Sequence, residues 1–470
     1  MDDLKNIQKI YFIGIGGIGM SALARYFRFH GKEVSGYDKT ETELTRQLVV
    51  EGIQIHYEEN PQLAPKDAQW IVYTPAIPNA NTELVYYREN NYKILKRSDV
   101  LGAITNSSFN ICVAGTHGKT TVSTMIAHIL RDSQYGCNAF LGGISVNYNS
   151  NFWSDDRNVC VIEADEYDRS FLKLSPDIAV ITAMDADHLD IYGTSEAVEN
   201  AFVAFSGNVK PGGLLICKYG LRRSGDLHAT DRIAYSLDNS SADIYAQNIR
   251  ASNGGYLFDV LSKAWSLSNV RLNMGGMHNI ENAVAAIAVA HRLGVEDGKI
   301  KKAIASFEGV KRRFEYVIAP FATGRQSEEK PIFVDDYAHH PEELKALING
   351  AKNLFPGKKC TVIFQPHLYT RTRDFAAGFA ESLDLADEVI LLPIYPAREL
   401  PIEGVTSKMV ADKMKKAKVQ LMNKEELMNW LEATPSPLGR GGVGPLLITA
   451  GAGDIDTLVK PIKEIFEKMN

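Results

Sequence analysis

Residues 111–130 read ICVAGTHGKTTVSTMIAHIL: an apolar strand, a glycine turn, then Lys119 and Thr120 opening a helix. Such a turn offers backbone N–H groups and a helix N-terminus to phosphate, with the lysine reaching the terminal phosphates and the threonine hydroxyl available to Mg²⁺. The loop Gly115-Thr116-His117-Gly118-Lys119-Thr120-Thr121 departs from the common phosphate loop, because Val113 stands where its first glycine would be. A second turn, YFIGIGGIGMSALARYF from Tyr11, spaces Gly14, Gly16 and Gly19 as G-x-G-x-x-G, and Asp38 closes the following strand. Its ligand is equally NAD or another nucleotide diphosphate. Two turns of different grammar predict an enzyme that handles two phosphate-bearing molecules.

At 470 residues the chain exceeds what one core usually serves, so about two to four domains are expected. A net charge of −6 supplies no field for nucleic acid or an anionic membrane, so any phosphate site is local and the partners are small molecules. The five cysteines, Cys112, Cys137, Cys160, Cys217 and Cys360, are scattered with no C-x-x-C pair, and read as buried thiols. The N-terminus reaches a strand by about Ile10 without an apolar leader, and no run approaches transmembrane length; a cytosolic protein is expected.

Short apolar runs alternate with helix-period segments, the pattern of α/β domains with mainly parallel sheets. The expected divisions are 1–107, 108–312 and 313–470, with GVKRRFEYV as a hinge and the segment 434–445, TPSPLGRGGVGP, as a surface loop. The third domain's runs KPIFVDDYA, KCTVIFQPH, DEVILLPIY and PLLITAGAGDI each end in polar or glycine residues, where open parallel sheets bind ligands.

The run NVCVI ends in Glu163, followed by Asp165, Glu166 and Asp168. An acid at a strand tip beside a phosphate loop suits Mg²⁺, while the later acids also fit a solvated loop. ITAMDADHLDIYG sets Asp187, His188 and Asp190 at another strand end, where His188 is either a metal ligand or a structural hydrogen-bonder. Asn279 and Asn282 share one helix face and suit an adenine edge, although Asn279 alone reads as an N-cap. VDDYAHHPEE and QPHLYTRTRD bring Tyr337, His339, His367, Arg371 and Arg373 to two strand ends, and arginines there suit a carboxylate.

In order along the chain, G-T-H-G-K-T, E-A-D-E, D-H-L-D-I-Y-G, H-N-x-x-N-A and the R-F-E at Arg313 resemble the Mur ligase family, ATP-dependent amide-forming enzymes of peptidoglycan precursor synthesis. GIGGIGMSALA, DYAHHPEE and QPHLYTRTRD resemble the branch that adds the first amino acid. The resemblance implies three α/β domains: a Rossmann-like UDP-sugar domain, a central phosphate-loop ATPase-type domain, and a Rossmann-like C-terminal amino-acid and nucleotide domain. It implies that Gly14, Gly16, Gly17, Ile18, Gly19, Asp38, Thr74 and Ala76 hold UDP-N-acetylmuramate. ATP would lie on the loop 115–121 with Asn279, Asn282, Arg313 and Asp336, Mg²⁺ on Thr120, Glu163 and His188, and L-alanine among Tyr337, His339, His367 and Arg371. Lys119, His339, His367 and Arg371 are the implied catalytic set, and hinge closure is expected before chemistry. Leu368 departs from the arginine common in this branch, and no lysine occurs between Lys173 and Lys210, where later-acting sister enzymes carry a carbamylated one. Two other readings are a recycling ligase that joins a tripeptide to the same sugar nucleotide, and an NAD-binding Rossmann protein, which would leave the Lys119 loop idle.

Overall fold

A computed structural model describes residues 3–167, 169–185, 189–320, 331–397, 399–433 and 444–468. The chain divides into two compact units, one of Met1–Ala246, Val260–Leu267 and Glu281–Ile304, the other of Gln247–Asp259, Ser268–Ile280 and Ala305–Asn470. Three sheets run through it. Among the described residues no helix is long and apolar enough to cross a membrane.

The first sheet contains β1 (Lys9–Ile13), β2 (Glu33–Tyr37), β3 (Gln54–His56), β4 (Trp70–Tyr73) and β5 (Ile94–Lys96) in the order β3-β2-β1-β4-β5. All its pairings are parallel. The connection reverses direction beside β1, so the Gly14 turn that follows β1 opens into the crevice where such sheets take ligands.

The second sheet contains β6 (Phe109–Ala114), β7 (Asn138–Ser145), β8 (Ser150–Trp153), β9 (Val159–Glu163), β10 (Ile178–Ile181), β11 (Leu214–Lys218), β12 (Asp231–Ser236), β13 (Ile244–Ser252), β14 (Gly255–Ser262) and β15 (Ser266–Leu272). Its order is β15-β14-β13-β12-β11-β10-β6-β9-β7-β8. β6 lies parallel between β9 and β10. All three of these strands are buried apart from their ends, as their valine- and isoleucine-rich sequences require.

The third sheet contains β16 (Glu315–Ile318), β17 (Ile332–Asp336), β18 (Cys360–Phe364), β19 (Glu388–Leu391), β20 (Lys418–Leu421) and β21 (Leu446–Ala450), ordered β16-β17-β21-β18-β19-β20. β16 is the antiparallel member, and it forms from the end of the stretch expected to be a hinge. Tyr316 and Phe314 pack edge to face there, and pairing with β17 makes a strand where charge and glycine suggest a break. The expected loop 434–445 lies largely outside the described residues. All five cysteines are buried, as expected of structural thiols.

Within the first unit, one apolar cluster includes Phe12, Leu23 and Phe27 from the first sheet's layer and Cys112, Phe140, Phe152 and Ile162 from the second sheet's. The helix Ile18–Phe29, which starts at the first glycine turn, carries Tyr26 against Phe140 at 5.3 Å between ring centroids. Arg25 on the same helix donates to Asn151 Oδ1 at 2.6 Å and to Glu51 at 2.8 Å, while Asn151 Nδ2 donates to Ile18 O at 2.5 Å. Asn151 is fully buried, so its amide depends on these partners. Arg25→Ala is expected to destabilise the first unit by about 3 kcal/mol, because it strands that amide and the ion pair. A denaturant midpoint equal to wild type would show that the seam is held by the aromatic contacts alone.

Candidate functional site

At the first turn, Gly14 has φ +83° and its N–H donates to Tyr37 O at 2.7 Å. Asp38 spends its carboxylate on the turn: Oδ2 accepts from Gly16 N at 2.7 Å and Oδ1 from Thr40 N at 3.1 Å. A Cβ added at Gly14 would meet Ile77 at 2.9 Å and Thr74 at 3.5 Å, so the loop after β4 that holds Thr74 and Ala76 rises beside the turn. Gly16 borders Asp38 and Thr45 instead, and Gly19 borders Arg97, so among the glycines of this turn it is Gly14 that meets Thr74.

The Lys119 loop is held by close approach of backbone to its neighbours. Gly115 has φ +138°, and a Cβ there would lie 2.1 Å from Thr182 Oγ1. The Thr182 hydroxyl donates to His117 O, and Thr116 N donates to Ala183 O at 3.3 Å. Thr116 Oγ1 accepts from Asp185 N at 3.2 Å, and exposed His117 stands 4.0 Å from Asp185. Thr121 is buried in the first turn of the helix Lys119–Asp132. Asn282 Oδ1 borders the loop, since a Cβ on Gly118 would meet it at 2.9 Å.

Three acids of one strand end have three different tasks. Glu163 Oε1 accepts from Thr120 Oγ1 at 2.9 Å and Oε2 from Gly142 N at 2.8 Å. Glu166, with a side chain only 1% exposed, accepts from Lys119 Nζ at 2.8 Å, and that ammonium also donates to Gly115 O at 2.7 Å. Burial pushes the Glu166 carboxyl above its ordinary value, against the pull of Lys119. The solvated-loop reading of the later acids therefore fails for Glu166. Asp165 lies 3.7 Å from Arg97. Sequence reasoning missed Arg97; its signal was a basic residue immediately after the strand YKILK.

Thr120 and Glu163 present hard oxygen donors at the phosphate-facing helix start, a set that suits Mg²⁺. His188 and Asp187 lie outside the described residues, as does the Asp190 side chain. Among the described residues no group of three or more His, Cys, Asp and Glu is arranged to hold a metal.

In the second unit, Asn279 lies inside the helix Met277–Arg292, not at its N-cap, with Nδ2 donating to Gly275 O at 2.7 Å. Asp336 at the end of β17 accepts from Phe314 N and Ala338 N, both at 2.7 Å. Arg313 is exposed, and its N–H donates to Val310 O at 3.1 Å. Arg312, which sequence reasoning passed over, donates to Gly451 O, lies 3.6 Å from Asp335 and stacks on Tyr337 at 5.1 Å. It thereby ties the ends of β17 and β21 together.

His339 and His367 stand 6.2 Å apart between ring centroids. His339 Nδ1 donates to Tyr337 O at 2.9 Å, which leaves Nε2 as the acceptor. His367 Nδ1 accepts from Arg371 at 3.4 Å, and its ring stacks on Tyr395 at 5.8 Å. Burial lowers both imidazoles below their ordinary value, with Arg371 adding to the effect at His367. Arg373 is exposed and pairs with Asp374 at 2.8 Å, outside this group. Leu368, inside QPHLYTRTRD and directly before the helix Tyr369–Leu383, takes φ +71°.

Burial pushes Asp335 up to about 7 and Asp336 up to about 6, so both hold protons in the folded chain where an unfolded carboxylate near 4 has lost them. Folding then binds protons, and these groups make stability fall as pH rises from about 4 towards 7. Asp335→Asn is expected to flatten that decline in the second unit's urea midpoint; a profile parallel to wild type would contradict the burial argument.

The chain matches the Mur ligase family, catalytic domain over residues 9–109, the Mur ligase middle domain over 113–290, and the Mur ligase, glutamate ligase domain over 312–452. It is 46% identical to UDP-N-acetylmuramate–L-alanine ligase of Flavobacterium johnsoniae over 470 residues, 99% of each chain. With the enzyme of that name from Phocaeicola vulgatus the identity is 48%, over 99% of this chain and 100% of the relative. The crystal structure of the UDP-N-acetylmuramate-alanine ligase from Thermotoga maritima superposes with a TM-score of 0.80 at 29% identity, covering 98% of this chain and all of the other. A murein peptide ligase from Psychrobacter arcticus shares the fold, with a TM-score of 0.64 at 21% identity over 98% of each chain. Two glycine turns at sheet edges, a lysine loop braced by two acids and matches along nearly the whole length agree: the chain belongs to the Mur ligase family.

Proposed function

We propose that this chain uses ATP to join L-alanine to the lactyl carboxylate of UDP-N-acetylmuramate, releasing ADP and phosphate. The observation that carries the reading is the pairing of two glycine turns in one unit, each at the carboxyl edge of a parallel sheet. Relatives named for this reaction match 99% of the chain at 46% and 48% identity, which favours it over the tripeptide-joining alternative. Residues 1–107 then serve the sugar nucleotide, 108–312 ATP, and 313–470 the amino acid. A reaction that consumes ATP and a sugar nucleotide suits a cytoplasmic enzyme.

A carboxylate resists attack by an amine because its carbon is shielded and oxide is a poor leaving group. Its oxygen first attacks the γ-phosphorus of ATP, and the bond to the β-phosphate oxygen breaks so that ADP leaves with the electron pair. Lys119 offsets charge on the transferred group once it turns from Glu166 to the phosphate. Thr120, Glu163 and His188 would hold Mg²⁺, which when bound supplies further positive charge at the phosphates. Asn282 borders the loop for the adenine, with Asn279 on the same helix face. The amine of alanine then attacks the acyl carbon, and the tetrahedral intermediate expels phosphate. Arg371 grips the alanine carboxylate beside Tyr337 and His367. His339, neutral at pH 7 and with Nε2 as acceptor, takes the ammonium proton.

Phosphate release should require ATP, Mg²⁺, UDP-N-acetylmuramate and L-alanine together. Release with L-alanyl-γ-D-glutamyl-diaminopimelate and not with L-alanine would transfer the protein to the recycling branch. Lys119→Ala is expected to lower kcat by on the order of a thousandfold, and near-normal turnover would refute the loop's role.

A further inference from the structure

Arg97 is the first residue of the helix Arg97–Ser107, directly after β5, and it faces two parts of the first unit. Its guanidinium lies against the first glycine turn: a Cβ added at Gly19 would meet Nη1 at 2.6 Å and Cδ at 3.0 Å. Its other terminal nitrogen, Nη2, stands 3.7 Å from Asp165 Oδ2. Both side chains retain contact with water, at 22% and 41% exposure, so the pair can part at small cost.

The base of Arg97 is fixed. Asp99 Oδ2 accepts from Lys96 N at 2.9 Å in a capping arrangement, and Lys173 Nζ donates to Ser98 Oγ at 3.2 Å and binds Asp99. Gly102 packs its helix on the Lys173 carbonyl, which a Cβ would meet at 3.0 Å. The backbone that carries Arg97 is thus tied to Lys173, in the segment that follows Asp165. On the other side, the helix Ile18–Phe29 has no acidic residue in its first turn and no side-chain cap. Asp38, the acid nearest the turn, is occupied with Gly16 and Thr40.

We propose that Arg97 is a substrate-positioning residue that binds the diphosphate of the sugar nucleotide on the first glycine turn, exchanging Asp165 for that anion. The inference rests on the reading of this turn as the UDP-sugar site and names a residue that reading lacked. A planar guanidinium beside Gly19 can offer two N–H groups to phosphate oxygens, with the helix start behind them. The exchange has a consequence at the other loop. Asp165 lies between Ala164, whose N–H donates to Val113 O at 2.8 Å, and Glu166, which holds Lys119. Release of Asp165 by an arriving diphosphate therefore acts on the strand end that braces the Lys119 loop, and sugar-nucleotide binding is felt where ATP is activated.

Binding of UDP-N-acetylmuramate and of UDP-N-acetylglucosamine, which has the diphosphate without the lactyl carboxylate, is measured by calorimetry on wild type, Arg97→Ala, Arg97→Lys and Asp165→Asn. The thermal unfolding midpoint of each protein reports on folding. Arg97→Ala is expected to weaken both sugar nucleotides by roughly tenfold or more, with Arg97→Lys recovering part of the loss. Asp165→Asn, which frees the guanidinium, is expected to tighten both by up to about fivefold. Equal affinity of Arg97→Ala and wild type for both ligands would overturn the proposal. A loss confined to UDP-N-acetylmuramate would overturn the diphosphate assignment and move Arg97 to the lactyl carboxylate. If wild type binds neither ligand, the reading of the turn itself fails and not merely the role of Arg97.

Discussion

Gly115 passes so close to Thr182 that no side chain fits between them, and the nucleotide end of the first unit depends on that approach. The contact lets the chain leave β6, cross the end of β10 and begin the helix Lys119–Asp132 within a few residues. It brings Thr182 onto the His117 carbonyl, Thr120 onto Glu163 and Lys119 onto Glu166. Without it the amides at the helix start would not be presented together, and a phosphate would find a lysine on a loose loop.

The acids of the strand end after β9 show how a short segment divides labour. Glu163 is held by a hydroxyl and an amide, Asp165 by an arginine from the first sheet's side, Glu166 by the loop lysine. Burial pushes the Glu166 carboxyl up, because water there is unable to share the charge. The first two sheets also share an apolar cluster, and Arg25 and Asn151 bridge them. This seam ties the two glycine turns into one unit.

The second unit solves a different problem, that of gathering polar groups from loops far apart in sequence. Arg312 reaches Gly451, Asp335 and the Tyr337 ring, and so joins the ends of β17 and β21. His339 and His367 arrive from β17 and β18 with opposite tautomers, one set by a carbonyl and the other by Arg371. Similar rings acquire different capacities from the partner each nitrogen meets.

Both glycine turns, the parallel α/β pattern and most core strands were legible in residue spacing, because glycine, lysine and apolar runs act within a few residues of chain. Edge strands β3 and β20 were not legible, since half-exposed three- and four-residue strands carry little apolar pattern. β16 was hidden by the charges beside it, and it forms by pairing antiparallel with β17, a partner the local sequence does not reveal. Asp38 and Asp336 could be placed at strand ends from sequence, but not their occupation by backbone amides. Local sequence thus determined which residues sit at the sheet edges. Tertiary structure alone decided that Arg97 meets Asp165, that Glu166 is buried on Lys119 and that Asp335 is pushed up to about 7, since each depends on residues distant in the chain.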